Sequence, residues 1–192
     1  EIGAENVFDF SIGNPSVPAP ACVEEAILRI VRETPSVRMH GYTSAQGDKD
    51  CRDRIAANLN ARFGAGLSGD DLDMTFGAAA CLTIAVHALA CAGDEFLVFA
   101  PYFAEYKVFV EGAGAKFTAL PSEDKTFLPD LAALERALTP RVKAVIVNSP
   151  NNPSGVVYGE ETVKRLAALL KKKSEEYGRP IYLISDEPYR EL

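Results

Sequence analysis

Histidine occurs only at positions 40 and 87, and the four cysteines, Cys22, Cys51, Cys81 and Cys91, form no C-x-x-C pair. A histidine-rich metal centre, a zinc site and a disulfide framework therefore lack support. The cysteines stand among Ala, Ile and Leu and are expected to be small buried residues of a reducing compartment. His87, inside TIAVHALA, reads as structural. No signal peptide and no long apolar span is visible, so the expected location is cytoplasmic, with no membrane partner. Positive charge is also short: 20 Lys and Arg against 27 Asp and Glu give a net charge of -7. That balance argues against nucleic acid as a partner, because phosphate binding needs clustered cations. The one basic run, Lys171 to Lys173, falls at the end of a predicted helix, where solvated cations suit the helix dipole. Neither a G-x-G-x-x-G nor a Walker loop occurs, so NAD and ATP lose their usual support.

What is present is a globular composition, 47% hydrophobic and 24% charged over 192 residues, long enough to bury a core. The first residue is Glu1 and not Met, which leaves room for a segment upstream. FSIGNPSVPAP carries three prolines and a glycine and reads as an extended segment. A helix is predicted from about Ala21, with Val23, Ile27 and Ile30 or Val31 on one face. MHGYTSAQG is a loop, and Cys51, Ile55, Leu59 and Phe63 then repeat every four residues along a second helix. From Leu72 short apolar runs alternate with helical patterns. The runs LDMTF, EFLVFA, AKFTAL, KAVIVN and IYLIS predict five strands separated by four helices. That alternation is the signature of an α/β fold with a mainly parallel sheet, since parallel neighbours need a crossover helix. FLVFA and AVIVN are apolar without alternation, as strands with helices on both faces should be. Strand order does not follow from this pattern.

Open α/β sheets bind ligands outside the carboxyl ends of their strands. Four of the five predicted strand ends carry unusual residues. After the first comes GAAA, Gly77 to Ala80, opening into a helix. Small residues there let backbone N–H groups approach a phosphate at the helix start, although a tight turn would use the same residues. After the second comes APYFAEY, whose aromatics either pack in the core or offer a face to a planar ligand. After the fourth comes NSPNNPSG, Asn148 to Gly155, a constrained turn with side-chain amides that donate and accept. After the fifth come Asp186, which caps a helix or holds a cationic atom, and Tyr189 three residues on. Their gathering on one sheet edge points to one shared ligand that is planar, phosphorylated and basic at one nitrogen.

GAAACL, APYF, NSPNNPSG and DEPY, in this order, resemble the fold-type I pyridoxal-phosphate (PLP) enzymes, most closely the amino-terminal half of class I/II aminotransferases of the aspartate aminotransferase type. FSIGNPSVPAP and YTSAQGDKDCRDRIA look like the family's early motifs, so the resemblance covers nearly the whole chain. It implies a PLP-dependent transfer of an amino group between an L-amino acid and a 2-oxo acid. It also implies roles. Asp186 would pair with the pyridinium nitrogen, while Tyr189 and Asn152 would bond the phenolic oxygen. Asn152 would also touch the substrate carboxylate, and Phe103 would stack on the ring. Backbone N–H groups of Ala78 and Ala79 would hold the phosphate. Tyr42 would reach the phosphate of a neighbouring subunit, which implies a homodimer. Gly13 would lie near the substrate carboxylate.

By the same resemblance, residues 1–45 form an N-terminal segment and substrate-side loop, and 46–192 an incomplete large PLP-binding domain. Two departures stand out. Ala78 and Ala79 bring no hydroxyl to the phosphate. The family's Schiff-base lysine is expected beyond Leu192, with the carboxylate-binding arginine further on, so no catalytic residue is expected within the chain. Lys143 opens a strand, and Lys164 and Lys171 to Lys173 belong to a helix. Later strands of the family insert into the sheet, so the 192-residue piece alone is expected to be poorly stable and inactive. A PLP-dependent C–S lyase or synthase shares the same cofactor residues. The effector domain of an aminotransferase-like transcription regulator is a further alternative, though no helix-turn-helix is visible.

Overall fold

The computed structural model describes residues 3–8, 13 and 17–191. The chain divides into two compact units, Glu1–Met74 and Thr75–Leu192.

The first unit carries helices α1 (Ala21–Glu33), α2 (Ser36–Met39) and α3 (Lys49–Phe63), followed by a 3-10 turn at Gly69–Asp71. Helix α1 begins where the sequence predicts, yet none of its residues is buried. Val23, Ile27, Ile30 and Val31 are exposed, because nothing among the described residues covers their stripe. Helix α3 is capped at its start by the Asp48 carboxylate, which accepts the Cys51 N–H at 3.0 Å. It ends at Gly64 in the left-handed conformation. Its buried residues are Arg52 and Ala56, one position on from the repeat Cys51, Ile55, Leu59 and Phe63, and Phe63 is exposed. The surface it meets is the 3-10 turn, which offers carbonyls and not hydrocarbon. The Arg52 guanidinium accordingly donates to the Gly69 carbonyl and lies 3.6 Å from the Asp70 carboxylate. LDMTF is extended but is not a strand. It has no ladder neighbour among the described residues, and the Met74 N–H bonds only the Gln46 carbonyl of the loop, at 2.9 Å. The cysteines also differ from expectation. All four are free and exposed.

The second unit holds a four-stranded, all-parallel sheet of β1 (Glu95–Phe99), β2 (Lys116–Leu120), β3 (Val142–Asn148) and β4 (Tyr182–Asp186), in the order β2-β1-β3-β4. Helices α4 (Gly77–Leu89), α5 (Glu105–Gly112), α6 (Leu131–Ala137) and α7 (Glu160–Tyr177) flank it. Alternate β1 residues face opposite ways. Phe96 and Val98 pack with Leu82 and Val86 of α4 and with Val110 of α5. Leu97 and Phe99 pack with Leu134 of α6 and with Leu166 and Leu170 of α7. Each of these fully buried side chains contributes about 1.5–3 kcal/mol, so the double layer is the main source of stability in this unit. The unbroken apolar runs at 96–99 of β1 and 144–147 of β3 follow from burial on both faces.

At the amino edge of the sheet, buried Asp94 meets Lys143 at 3.0 Å and Arg179 at 3.1 Å, and accepts the Cys91 N–H at 3.0 Å. Neighbouring Glu95 meets Lys116 at 2.8 Å and accepts from the Thr118 hydroxyl. The chain steps outward from β1 to β2, then returns past β1 to β3 on the other side. The order therefore reverses between β1 and β3, and the crevice at their carboxyl ends is the place for a ligand.

Candidate active site

A cleft of about 160 Å³ opens at that carboxyl edge, walled by α4 and by the segments that leave β1, β3 and β4. From α4 come Ala78, Ala79 and Leu82. Gly77 starts the helix at φ +81°, a conformation that costs a residue with a Cβ but not glycine. Neither a side-chain cap nor an acidic residue occupies the first turn of α4. Its leading N–H groups and the positive end of its dipole thus remain available to an anion.

Beyond β1, the two aromatics of APYF part company. Tyr102 packs edge-on against Phe117 of β2 at 5.1 Å, while Phe103 lines the cleft and meets Tyr106 edge-on at 5.6 Å. Beyond β3, NSPNNPSG closes on itself. The Gly155 N–H bonds the Asn151 carbonyl at 2.7 Å, and the Asn151 N–H bonds the Val156 carbonyl at 2.9 Å. The closed turn leaves Asn152 on the cleft wall. Beyond β4, Asp186, Pro188 and Tyr189 complete the lining. The Asp186 carboxylate caps no helix and instead accepts a 2.6 Å hydrogen bond from the Tyr106 hydroxyl.

Tyr106 is 2% exposed. Burial pushes its phenol well above the ordinary range, and the bond to Asp186 pushes it further the same way. It stays protonated and donates to the Asp186 carboxylate. Replacing Tyr106 by Phe is expected to lower the unfolding free energy by about 1–2 kcal/mol, since the carboxylate loses a charge-assisted bond. Urea denaturation of the two proteins checks this, and equal midpoints would count against the bond.

Six of the residues picked out by sequence, Ala78, Ala79, Phe103, Asn152, Asp186 and Tyr189, share this cleft. Gly13 and Tyr42 belong to the first unit, where both are exposed. Two residues of the site stand within the quoted strand-end runs, Tyr106 in APYFAEY and Asn148 in NSPNNPSG, but were given no individual role. Tyr106 is one helical turn after Phe103, and its signal is a hydroxyl on the buried stripe that it shares with Val110. Asn148 is the polar residue that ends the apolar run 144–147, and it both lines the cleft and is 3% exposed. Among the described residues, no helix is long and apolar enough to cross a membrane.

A parallel sheet with a reversal point, an uncapped helix start and a carboxylate facing one cleft define the candidate ligand site of an α/β domain. Residues 5–192 match the family model for aminotransferase class I and II, and the chain belongs to that family. It is 35% identical over 189 residues to the aspartate aminotransferase of Thermotoga maritima, covering 98% of this chain and 48% of that protein. It is 33% identical over 183 residues to the aspartate/prephenate aminotransferase of Thermus thermophilus, covering 94% and 44%. Among solved structures, an amino transferase from Eubacterium rectale superposes with a TM-score of 0.95 at 54% identity, covering 98% of this chain and 48% of that one. The chain spans about half the length of the curated relatives it matches.

Proposed function

We propose that this chain is part of a PLP-dependent aminotransferase that moves an amino group between an L-amino acid and a 2-oxo acid. The observation that carries the reading is the Asp186 carboxylate, held by a neutral hydroxyl donor in the cleft that the uncapped start of α4 also enters. The donor set fits PLP group by group. Backbone N–H groups of Ala78 and Ala79 would hold the phosphate, and Asp186 the pyridinium nitrogen. Tyr189 and Asn152 would bond the phenolic oxygen, and Phe103 with Leu82 would cover the ring. Bound there, PLP supplies an electron sink for the carbanion left when an amino acid loses its α-proton. Asp186 keeps that sink strong by favouring the protonated ring nitrogen.

Asn152 would also contact the substrate carboxylate, with Gly13 nearby. Tyr42 would reach the phosphate of a second copy, making a homodimer the working assembly, and the cytoplasm the working compartment. Among the described residues no lysine lines the cleft: Lys143 is engaged by Asp94 at the amino edge, and Lys164 and Lys171 to Lys173 lie on α7. The base that moves the α-proton is therefore assigned to the half of the relatives' length that this chain does not span. Full-length protein with PLP, a 15N-labelled L-amino acid and an unlabelled 2-oxo acid should yield a 15N-labelled second amino acid. The 192-residue chain alone should yield none. Label released as ammonium would favour a lyase, and label that stays put would overturn the reading.

A further inference from the structure

We propose that Asn148 is a positioning residue that sets the separation between Asp186 and Asn152 across the cleft. Asn148 ends β3 and is the register partner of Asp186, which ends β4. Its Nδ2 donates to the Asp186 backbone carbonyl at 2.8 Å, and its Oδ1 accepts the Asn152 N–H at 2.6 Å. One amide thus spans the two segments that carry the cleft's carboxylate and its side-chain amide. The bridge needs a donor at one end and an acceptor at the other. Asp supplies only acceptors at neutral pH, Ala and Leu supply neither, and a Ser hydroxyl sits closer to the backbone.

What Asn148 holds is stiff on both sides. The turn closes through the Gly155 and Asn151 bonds and through the Ser154 N–H and hydroxyl, which both donate to Asn151 Oδ1, at 3.1 and 2.7 Å. Such a turn shifts as a unit, so a bond from the sheet to the Asn152 N–H decides where the whole unit sits. On the other side, Asp186 is fixed by the β3–β4 ladder and by the Tyr106 hydroxyl. Asn148 links these two rigid pieces.

The consequence for PLP rests on the function proposed above, whereas the link itself can be tested without it. Asn148→Ala should speed hydrogen exchange at the Asn152 amide about tenfold or more, because its acceptor is gone. In the full-length protein it should weaken PLP binding by about tenfold to a hundredfold, the scale of a misplacement near 1 Å. Adding Asn148→Ala to Asn152→Ala should then cost little further affinity, since the link acts through Asn152. Asn148→Asp keeps the acceptor and loses the donor, so it should leave Asn152 exchange slow while still weakening PLP binding. Unchanged Asn152 exchange in Asn148→Ala, or affinity losses that simply add, would overturn the proposal. If Asn148→Ala does not fold, fast Asn152 exchange in Asn148→Asp overturns it instead. A wild-type protein that takes up no PLP overturns the function, while Asn152 exchange still decides the link.

Discussion

Asp186→Asn in the full-length protein is expected to lower amino-acid turnover by at least about a hundredfold, the scale seen when one preorganised electrostatic partner is removed. The substitution separates charge from shape. The amide is nearly isosteric, and its oxygen can still accept the Tyr106 hydroxyl that now bonds the carboxylate at 2.6 Å. Packing and one hydrogen bond therefore survive, and only the negative charge is lost. That charge is what a protonated ring nitrogen requires, and each pK unit it supplies is worth about 1.4 kcal/mol, or a factor of ten. Unfolding by urea should be little affected, in contrast to Tyr106→Phe, which removes a buried donor. Turnover within threefold of wild type would contradict the assigned role.

Asp94→Ala is expected to destabilise the fold by about 2–3 kcal/mol at neutral pH. Breaking a fully buried ion pair costs about 3–5 kcal/mol, and the partial exposure of the Arg179 side chain (35%) lowers that figure. Burial alone would raise the Asp94 carboxyl. The bonds from Lys143 and Arg179, with the Cys91 N–H, outweigh it and hold the group below its ordinary value of 3.8. A carboxylate lowered in the folded state contributes stability above its unfolded pKa and loses it as pH falls through the folded one. Glu95 is shifted in the same direction: burial would raise it, but Lys116 and Thr118 lower it further. The wild-type unfolding free energy should therefore fall as pH drops below about 4, and the Asp94→Ala profile should be flatter there. Equal slopes would show that the cluster is not coupled to folding. Turnover at neutral pH should be unchanged, because Asp94 lies at the sheet edge opposite the cleft.

The parallel sheet was legible because burial on two faces leaves an unbroken apolar run, as in FLVFA and AVIVN. The cleft was legible because chemistry in such sheets collects after the strands, where Phe103, Asn152, Asp186 and Tyr189 stand. Periodicity says which residues share a helix face but not what covers that face. Hence the apolar stripe of α1 was read correctly as one face of a helix, while its exposure was not foreseen, and the cysteines were read as buried. LDMTF has strand composition, but pairing is a property of two segments and not of one. Helix α3 turns Arg52 inward because the Gly69 carbonyl and the Asp70 carboxylate of the 3-10 turn meet it, a fact held in the turn and not in the helix. Tyr106 and Asn148 reach Asp186 across 80 and 38 residues of chain, a separation that no local pattern encodes.

The most direct test is the 15N NMR shift of the ring nitrogen of labelled PLP bound to the full-length protein, read beside the Asp186→Asn variant. A protonated nitrogen in the wild type at neutral pH, lost in the variant, is the predicted result. A neutral nitrogen in the wild type, or one that Asp186→Asn leaves protonated, would contradict the placement of Asp186 at the ring and with it the account of this cleft.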